Sequence, residues 1–460
     1  MASRLENSLY NVLTGVFGQI LSFVLSFAIR TVFIQKLGEL YLGINGLFTN
    51  ILSVLNLAEL GLGTAIVIEM YRTVETGDKE KTKQYLAFYR KSYYVIGSVI
   101  LAVGMLTMPF LDMLINDREL LDLINYKAIW LMYLANTAFS YFFMGYRQAI
   151  LQANQQEYKS RLISYGFKLL EMILQIALLL LFSNIYLYLA IPIVLGCTNA
   201  LVQGVLIGRW FPFIKEKPSA KLSLDELKKT GRNVASVALY KVSGTVINST
   251  DSIILSSFVS IMLTGVYSNY LVITSAMSTI LSKLFSAFTA SLGSLNVAAA
   301  DDSNRKYRVF NALSLLNFWA YGFCAVCMYT LFDPFIEIWI GDRYILNQAT
   351  EAAIVLNFLV VGLQETIGTH RAAYGLFYQG RYRPIFSIAT NIVFSVLLVT
   401  SLPQDYGVVA VLLGTILSNL TTILWYDAWI VHKYAFNMKP FKFYLHFFCA
   451  LLSALRSASA

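Results

Sequence analysis

Residues 9–72 read LYNVLTGVFGQILSFVLSFAIRTVFIQKLGELYLGINGLFTNILSVLNLAELGLGTAIVIEMYR. Two apolar runs flank a turn at Gly38, and each exceeds the roughly 20 residues that cross a hydrocarbon core. Neither run is uniformly apolar. Gln19, Ser22, Ser26 and Arg30 recur every three or four residues and so share one helical face. Asn45, Thr49, Asn56 and Glu59 form a similar stripe on the second helix. An arginine or a glutamate in a spanning helix is costly unless it faces protein or water, so this hairpin is expected to border a polar interior.

The rest of the chain agrees with that reading. Of 460 residues, 57% are hydrophobic and only 13% charged, too apolar for a soluble domain. The runs are long and continuous, which excludes the alternating segments of a β-barrel. Twelve spans are expected, near 9–34, 41–70, 92–116, 128–151, 162–182, 186–208, 233–258, 262–297, 309–332, 348–370, 384–402 and 406–431. The first leads on from the N-terminus with no A-x-A-like cleavage site. A net charge of +9 could suggest nucleic acid, but its distribution points elsewhere. Only Lys36, Arg118, Lys127 and Arg343 fall in loops after odd-numbered spans; Arg30, Lys168, Lys241 and Lys283 fall inside spans, and Arg147 at the inner end of span 4. The others, Arg456 in the tail aside, crowd the N-terminus and the loops after even-numbered spans. That is the positive-inside pattern with a cytoplasmic N-terminus. The basic residues therefore report topology and contact with membrane lipids, and no nucleic acid is expected.

Residues 109–117, PFLDMLIND, match 334–342, PFIEIWIGD, at a shift of 225. At a shift of 224, Arg147, Ala149, Gln155, Tyr158 and Lys159 fall on Arg371, Ala373, Gln379, Tyr382 and Arg383. The expected fold class is an all-α polytopic membrane protein whose two six-helix lobes are related by an axis along the membrane normal, around a central cavity. The lobes are placed at 1–210 and 233–434. Between them, 211–232 carries Pro212 and Pro218, and Ser223–Glu226 fits a capping box opening a short surface helix. Beyond them, 435–460 holds a basic segment and an apolar piece, 443–455, too short to span, read as an interfacial stub or a truncated thirteenth helix.

Carried along the repeat, Gln19 falls on Lys241, Arg30 on Asp251 and Glu59 on Lys283, so the sign of the charge is swapped between lobes. Arg30 and Asp251 share one depth and Glu59 and Lys283 another, about 20 Å of helix rise away. Two gates follow as expectations: Arg30 with Asp251 at the outer rim and Glu59 with Lys283 at the inner one, unless each turns to neighbours in its own lobe.

Several motifs carry a family likeness. Leu60-Gly61-Leu62-Gly63 follows an acid in span 2, and Thr250-Asp251-Ser252-Ile253-Ile254 precedes Gly265-Val266-Tyr267. Asp333-Pro334-Phe335, Trp339-Ile340-Gly341 and Arg371-Ala372-Ala373-Tyr374-Gly375 follow in order. With these, residues 5 to about 435 resemble the polysaccharide-transporter family of oligosaccharide, O-antigen and capsule repeat-unit flippases. That family belongs to the multidrug/oligosaccharidyl-lipid/polysaccharide exporter superfamily. The resemblance implies a flippase for polyprenyl-pyrophosphate-linked oligosaccharides in the bacterial plasma (inner) membrane. It also implies polysaccharide polymerase and glycosyltransferase partners.

Substrate binding is assigned to Arg30, Lys241, Lys283, Gln19 and Asn248, because a pyrophosphate crossing a low-dielectric layer needs fixed cations. Gating or coupling, to protons or sodium, is assigned to Glu59, Asp251 and Glu365. Lys168 and Glu171 read as a local helix pair, and Arg147 and Arg371 as arginines snorkelling to headgroups. Asp427 is a lesser candidate. Cys197, Cys324, Cys327 and Cys449 lie in apolar segments with no second ligand pair for a metal, and no cofactor is expected. No nucleotide-binding or zinc-protease motif appears, so a transporter is favoured over an enzyme. The alternatives are an ion-coupled multidrug extruder and a membrane polysaccharide polymerase or glycosyltransferase. Three intramembrane cations favour an anionic substrate over the first.

Overall fold

The computed structural model describes residues 4–56, 62–115, 124–143, 145–220, 222–298, 302–441, 443–445 and 447. Glu59, Asp117, His446 and Cys449 lie outside them, as does most of the apolar tail. The described residues contain no strand; the protein is an all-α polytopic membrane protein. The helices are α1 Arg4–Leu37, α2 Glu39–Leu55, α3 Leu62–Glu75, α4 Lys79–Thr107, α5 Tyr126–Phe142, α6 Gln148–Ala153, α7 Glu157–Phe182 and α8 Ile185–Trp210. They continue as α9 Leu224–Phe258, α10 Ile261–Ser286, α11 Thr289–Ala298, α12 Ser303–Ile340, α13 Gln348–Gly362, α14 Glu365–Ala373, α15 Arg383–Ser401 and α16 Gly407–Ser418. The last span runs on through a π-helical turn, Asn419–Leu424, then α17 Trp425–Val431 and a second π-helical turn, His432–Phe436. Among the described residues, nine helical stretches are long and apolar enough to cross a membrane, and α2 is a shorter apolar helix.

Each of the twelve expected spans falls on one helix or on a broken pair. Spans 4, 8 and 10 are the pairs α5/α6, α10/α11 and α13/α14; span 2 falls on α2 and α3, with 57–61 between them outside the described residues. The fourth span of each half is divided between two helices, but not at the repeat shift: 143–147 would fall on 367–371, inside α14. Helix ends follow local chemistry. Gly38, at φ 84, turns the chain between α1 and α2. The Asn184 side chain caps α8 by accepting from the Tyr186 and Leu187 amides at 2.8 and 3.3 Å, and Ser260 caps α10 in the same way.

The chain divides into two compact units, Met1–Met113 with Asp117–Ala238, and Leu114–Asn116 with Leu239–Ala460. In the first, α1 packs on α7, α7 on α8, and α5 on both α4 and α8. In the second, α15 packs on α16, α13 on both α12 and α16, and α11 on α14. Large apolar side chains face outward in both. On α1, Leu13, Phe17, Ile20 and Val24 form an exposed stripe, as expected where the surrounding solvent is lipid.

Candidate functional site

Helix α15 is inverted relative to a soluble helix. Its buried face is Arg383, Ser387, Asn391 and Ser395, spaced every four residues and at most 7% exposed, while Ile385, Phe386, Ile392, Val393 and Leu397 point outward. The polar face is sealed by hydroxyls from its neighbours. Ser387 Oγ lies 2.9 Å from Ser243 Oγ of α9, and Ser418 Oγ of α16 donates to the Ser387 carbonyl at 3.0 Å. Close approach makes this seam continuous: a Cβ on Gly414 would sit 2.5 Å from the Ser395 backbone. A four-residue polar repeat inside an apolar run was visible in the sequence, and hydropathy alone passed over it.

Asp251 ends in this seam. It is buried, and its Oδ1 accepts from Thr415 Oγ1 at 2.6 Å. Asn391 Nδ2 donates to the same hydroxyl at 2.8 Å, and Asn391 also bears on the carboxylate. The groups holding Asp251 are thus a hydroxyl and an amide. The Asn391 Oδ1 beside them is buried and has no partner among the described residues. Two oxygens, Thr415 Oγ1 and Asn391 Oδ1, beside a buried carboxylate make an arrangement that can take up a proton or a monovalent cation.

At the other end of the α15 face lies a charged cluster. Asp427, 1% exposed, accepts from Arg371 Nη1 and, at 3.2 Å, from Arg383 Nη2. Both guanidinium groups sit over the Tyr240 ring, at 4.1 and 4.3 Å from its centre, an arrangement that offsets part of their desolvation. Two cations share one anion. Arg371 therefore does not snorkel to headgroups; it is tied to Asp427, which the sequence had ranked low. The flanking π-helical turns each add a residue to the helix and reset which side faces inward, a feature common at functional sites. Arg147 is likewise held internally, donating to the Gly204 carbonyl at 2.6 Å.

The sequence-selected residues fall in both units. On α9, Lys241 and Asn248 are exposed while Asp251 is buried. On α10, Lys283 is exposed, four residues beyond Thr279 and eight beyond exposed Ser275. Glu365 Oε1 accepts from Ser282 Oγ at 2.9 Å, whereas Gln364 is spent on the Val360 carbonyl at 3.0 Å. In the first unit Gln19 and Arg30 are half-buried on α1. Arg30 interacts electrostatically with Tyr188. Lys168 and Glu171 form the expected local pair at 2.6 Å. Among the described residues, no group of three or more His, Cys, Asp or Glu is arranged to hold a metal ion.

No family model and no curated protein matches the sequence. Solved structures do. A multidrug-resistance MATE transporter of the MOP superfamily, in its inward-facing conformation, aligns with a TM-score of 0.65 at 14% identity, over 88% of this chain and 93% of that one. The lipid II flippase MurJ, in an inward closed conformation, aligns with a TM-score of 0.64 at 16% identity, over 97% and 90%. The MATE transporter VcmN of Vibrio cholerae aligns with a TM-score of 0.58 at 15% identity, over 92% and 96%. The chain has the fold of MOP-superfamily transporters. These neighbours are transporters and a flippase, not enzymes.

Proposed function

We propose that this protein is a secondary transporter that flips polyprenyl-pyrophosphate-linked oligosaccharides from the cytoplasmic to the outer leaflet by alternating access. The observation that carries this reading is the exposure of Lys283 on α10, within a membrane-crossing stretch, together with exposed Lys241 on α9. Desolvation makes a charged lysine in hydrocarbon prohibitively costly, so one exposed within a crossing stretch faces a water-filled route. Fixed cations along such a route suit a pyrophosphate. Asp251 in its hydroxyl–amide cage serves as the coupling group for a proton or sodium, with Glu365 beside it in role. The reading includes a bacterial inner membrane, a cytoplasmic N-terminus, and polymerase and glycosyltransferase partners that consume and supply the lipid-linked saccharide.

The test is reconstitution into proteoliposomes with a polyprenyl-pyrophosphate-linked oligosaccharide. Leaflet movement by the native protein, and its loss in Lys241→Ala and Lys283→Ala at normal membrane insertion, are expected. The likeness to multidrug MATE transporters supports a second reading, ion-coupled drug efflux. Efflux of lipophilic cationic dyes, with no movement of the lipid-linked saccharide, would replace the first reading with the second.

A further inference from the structure

Within the first unit, α1, α2, α5, α7 and α8 line a half-open cavity of about 210 Å³. Its wall mixes apolar side chains of α1, α7 and α8 with polar ones: Ser26, Asn45, Asn136, Gln175, Tyr133 and Tyr188 line it, with the Lys168–Glu171 pair. The two tyrosine rings are fixed. Phe48 packs edge-on against Tyr133 at 5.9 Å and Phe33 against Tyr188 at 5.0 Å, and the Tyr133 hydroxyl donates to Asn45 Oδ1. The Lys168 side chain is 51% exposed and Glu171 16%. An ion pair so exposed midway along a spanning helix is stable only beside water, so the cavity is aqueous.

We propose that this cavity is a binding pocket for a single neutral sugar ring. The chemistry of its wall selects the ligand class. The one cation and one anion lining it cancel, which disfavours both a free phosphate and a cationic drug. What remains is an ammonium, carboxamides, a carboxylate and phenols, groups that together donate to and accept from hydroxyls on one small ligand. Rigid aromatic rings offer flat apolar surface to the C–H face of a pyranose. The volume is below that of pockets for drug-sized molecules and matches one ring, not a chain. If the transported molecule is saccharide-linked, as proposed above, this pocket reads one residue of it; the inference rests on that reading for its role, and on the pocket alone for its ligand.

The test uses the full-length chain with Cys197, Cys324, Cys327 and Cys449 replaced by alanine and Ser26→Cys as a reporter on the cavity wall. Alkylation of that cysteine in nanodiscs is followed with free hexoses, N-acetylhexosamines, glucuronate, glucosamine and inorganic phosphate. Protection by at least one neutral sugar, and by none of the charged compounds, is expected. Glu171→Gln and, separately, Asn136→Ala in the same background should abolish protection, each measured against that variant's own unprotected alkylation rate. Absence of protection by every neutral sugar overturns the proposal, as does equal protection by glucuronate, glucosamine or phosphate. The proteoliposome assay answers separately: flipping without sugar protection removes the pocket and keeps the flippase, and protection without flipping does the reverse.

Discussion

Gln203 and Asp427 stand 224 residues apart, at the spacing that relates the two halves of the chain, and each is the buried acceptor at the heart of its own unit. Gln203 Oε1 accepts from Ser160 at 2.5 Å and Gln148 at 3.0 Å, and its Nε2 donates to Ser164 and Asn199, both at 2.8 Å. Asp427 accepts from Arg371 and Arg383 instead. Arg371 and Arg383 are the repeat counterparts of Arg147 and Lys159, whose charges are directed to Gly204 and Gln156. One architecture thus accommodates a neutral amide or an ion cluster at the same register. The charge in the second unit is not a demand of the fold.

The two acceptors should differ in what their loss does. Asp427→Asn leaves two buried guanidinium groups short of an anion and is expected to cost about 3–5 kcal/mol. Gln203→Leu strands neutral hydrogen-bonding groups and should cost about 1–3 kcal/mol. Thermal unfolding in detergent measures both. The double variant Arg383→Met/Asp427→Leu should lose less than the sum of its parts, since both members of a pair are removed together.

Asp251→Asn keeps an oxygen for Thr415 to bond and removes the charge. It should fold normally and lose dependence of transport on proton or sodium gradients, read in proteoliposomes with each gradient imposed alone. Thr415→Val, which strips the hydroxyl from the cage, should weaken that dependence in the same direction. Native coupling in Asp251→Asn would exclude this carboxylate from coupling.

Gly414→Ala tests the α15–α16 approach. The new methyl would lie 2.5 Å from backbone atoms of Ser395, which cannot rotate away, so the helices must separate. A loss of about 1–3 kcal/mol is expected from such overpacking, with lowered thermal stability and, because Thr415 is the next residue, weakened ion dependence.

On α15 the usual rules of substitution should be reversed. Ile392→Ala and Val393→Ala, on the exposed side, should change stability by no more than about 0.5 kcal/mol. Asn391→Leu, the more apolar residue in a membrane helix, should be the damaging one, because it removes the donor to Thr415. A stability ranking in which the apolar positions matter most would contradict the orientation of this helix.

Hydropathy and charge asymmetry made most of the fold legible, because lipid imposes length and apolarity on each span directly. The repeat of 109–117 at 334–342 showed the two halves for a similar reason: helix ends with Pro and Asp carry recognisable local chemistry. The sites were less legible. Asp251 stood out as an intramembrane acid, but its partners Asn391 and Thr415 come from helices more than 100 residues on, and only packing brings them together. Arg371 was misread because an arginine at a helix end looks alike whether it reaches for headgroups or for Asp427. The four-residue spacing from Arg383 to Ser395 was readable and shows that polar periodicity deserves the same count as apolar periodicity. Glu59 falls outside the described residues.

The inversion of α15 also bears on how the protein is made. A segment leaving the translocon alone would present Arg383, Ser387, Asn391 and Ser395 to lipid with no partners. Its apolar side favours insertion, while this face opposes it. The next helix begins after only a short turn, with Gln404–Tyr406 leading into Gly407, and α15 packs on it along its length. The two therefore suit entry as a hairpin, each shielding the other. The same polar face that brings the Asn391 amide to Asp251 in the finished protein makes α15 dependent, during synthesis, on a helix not yet translated.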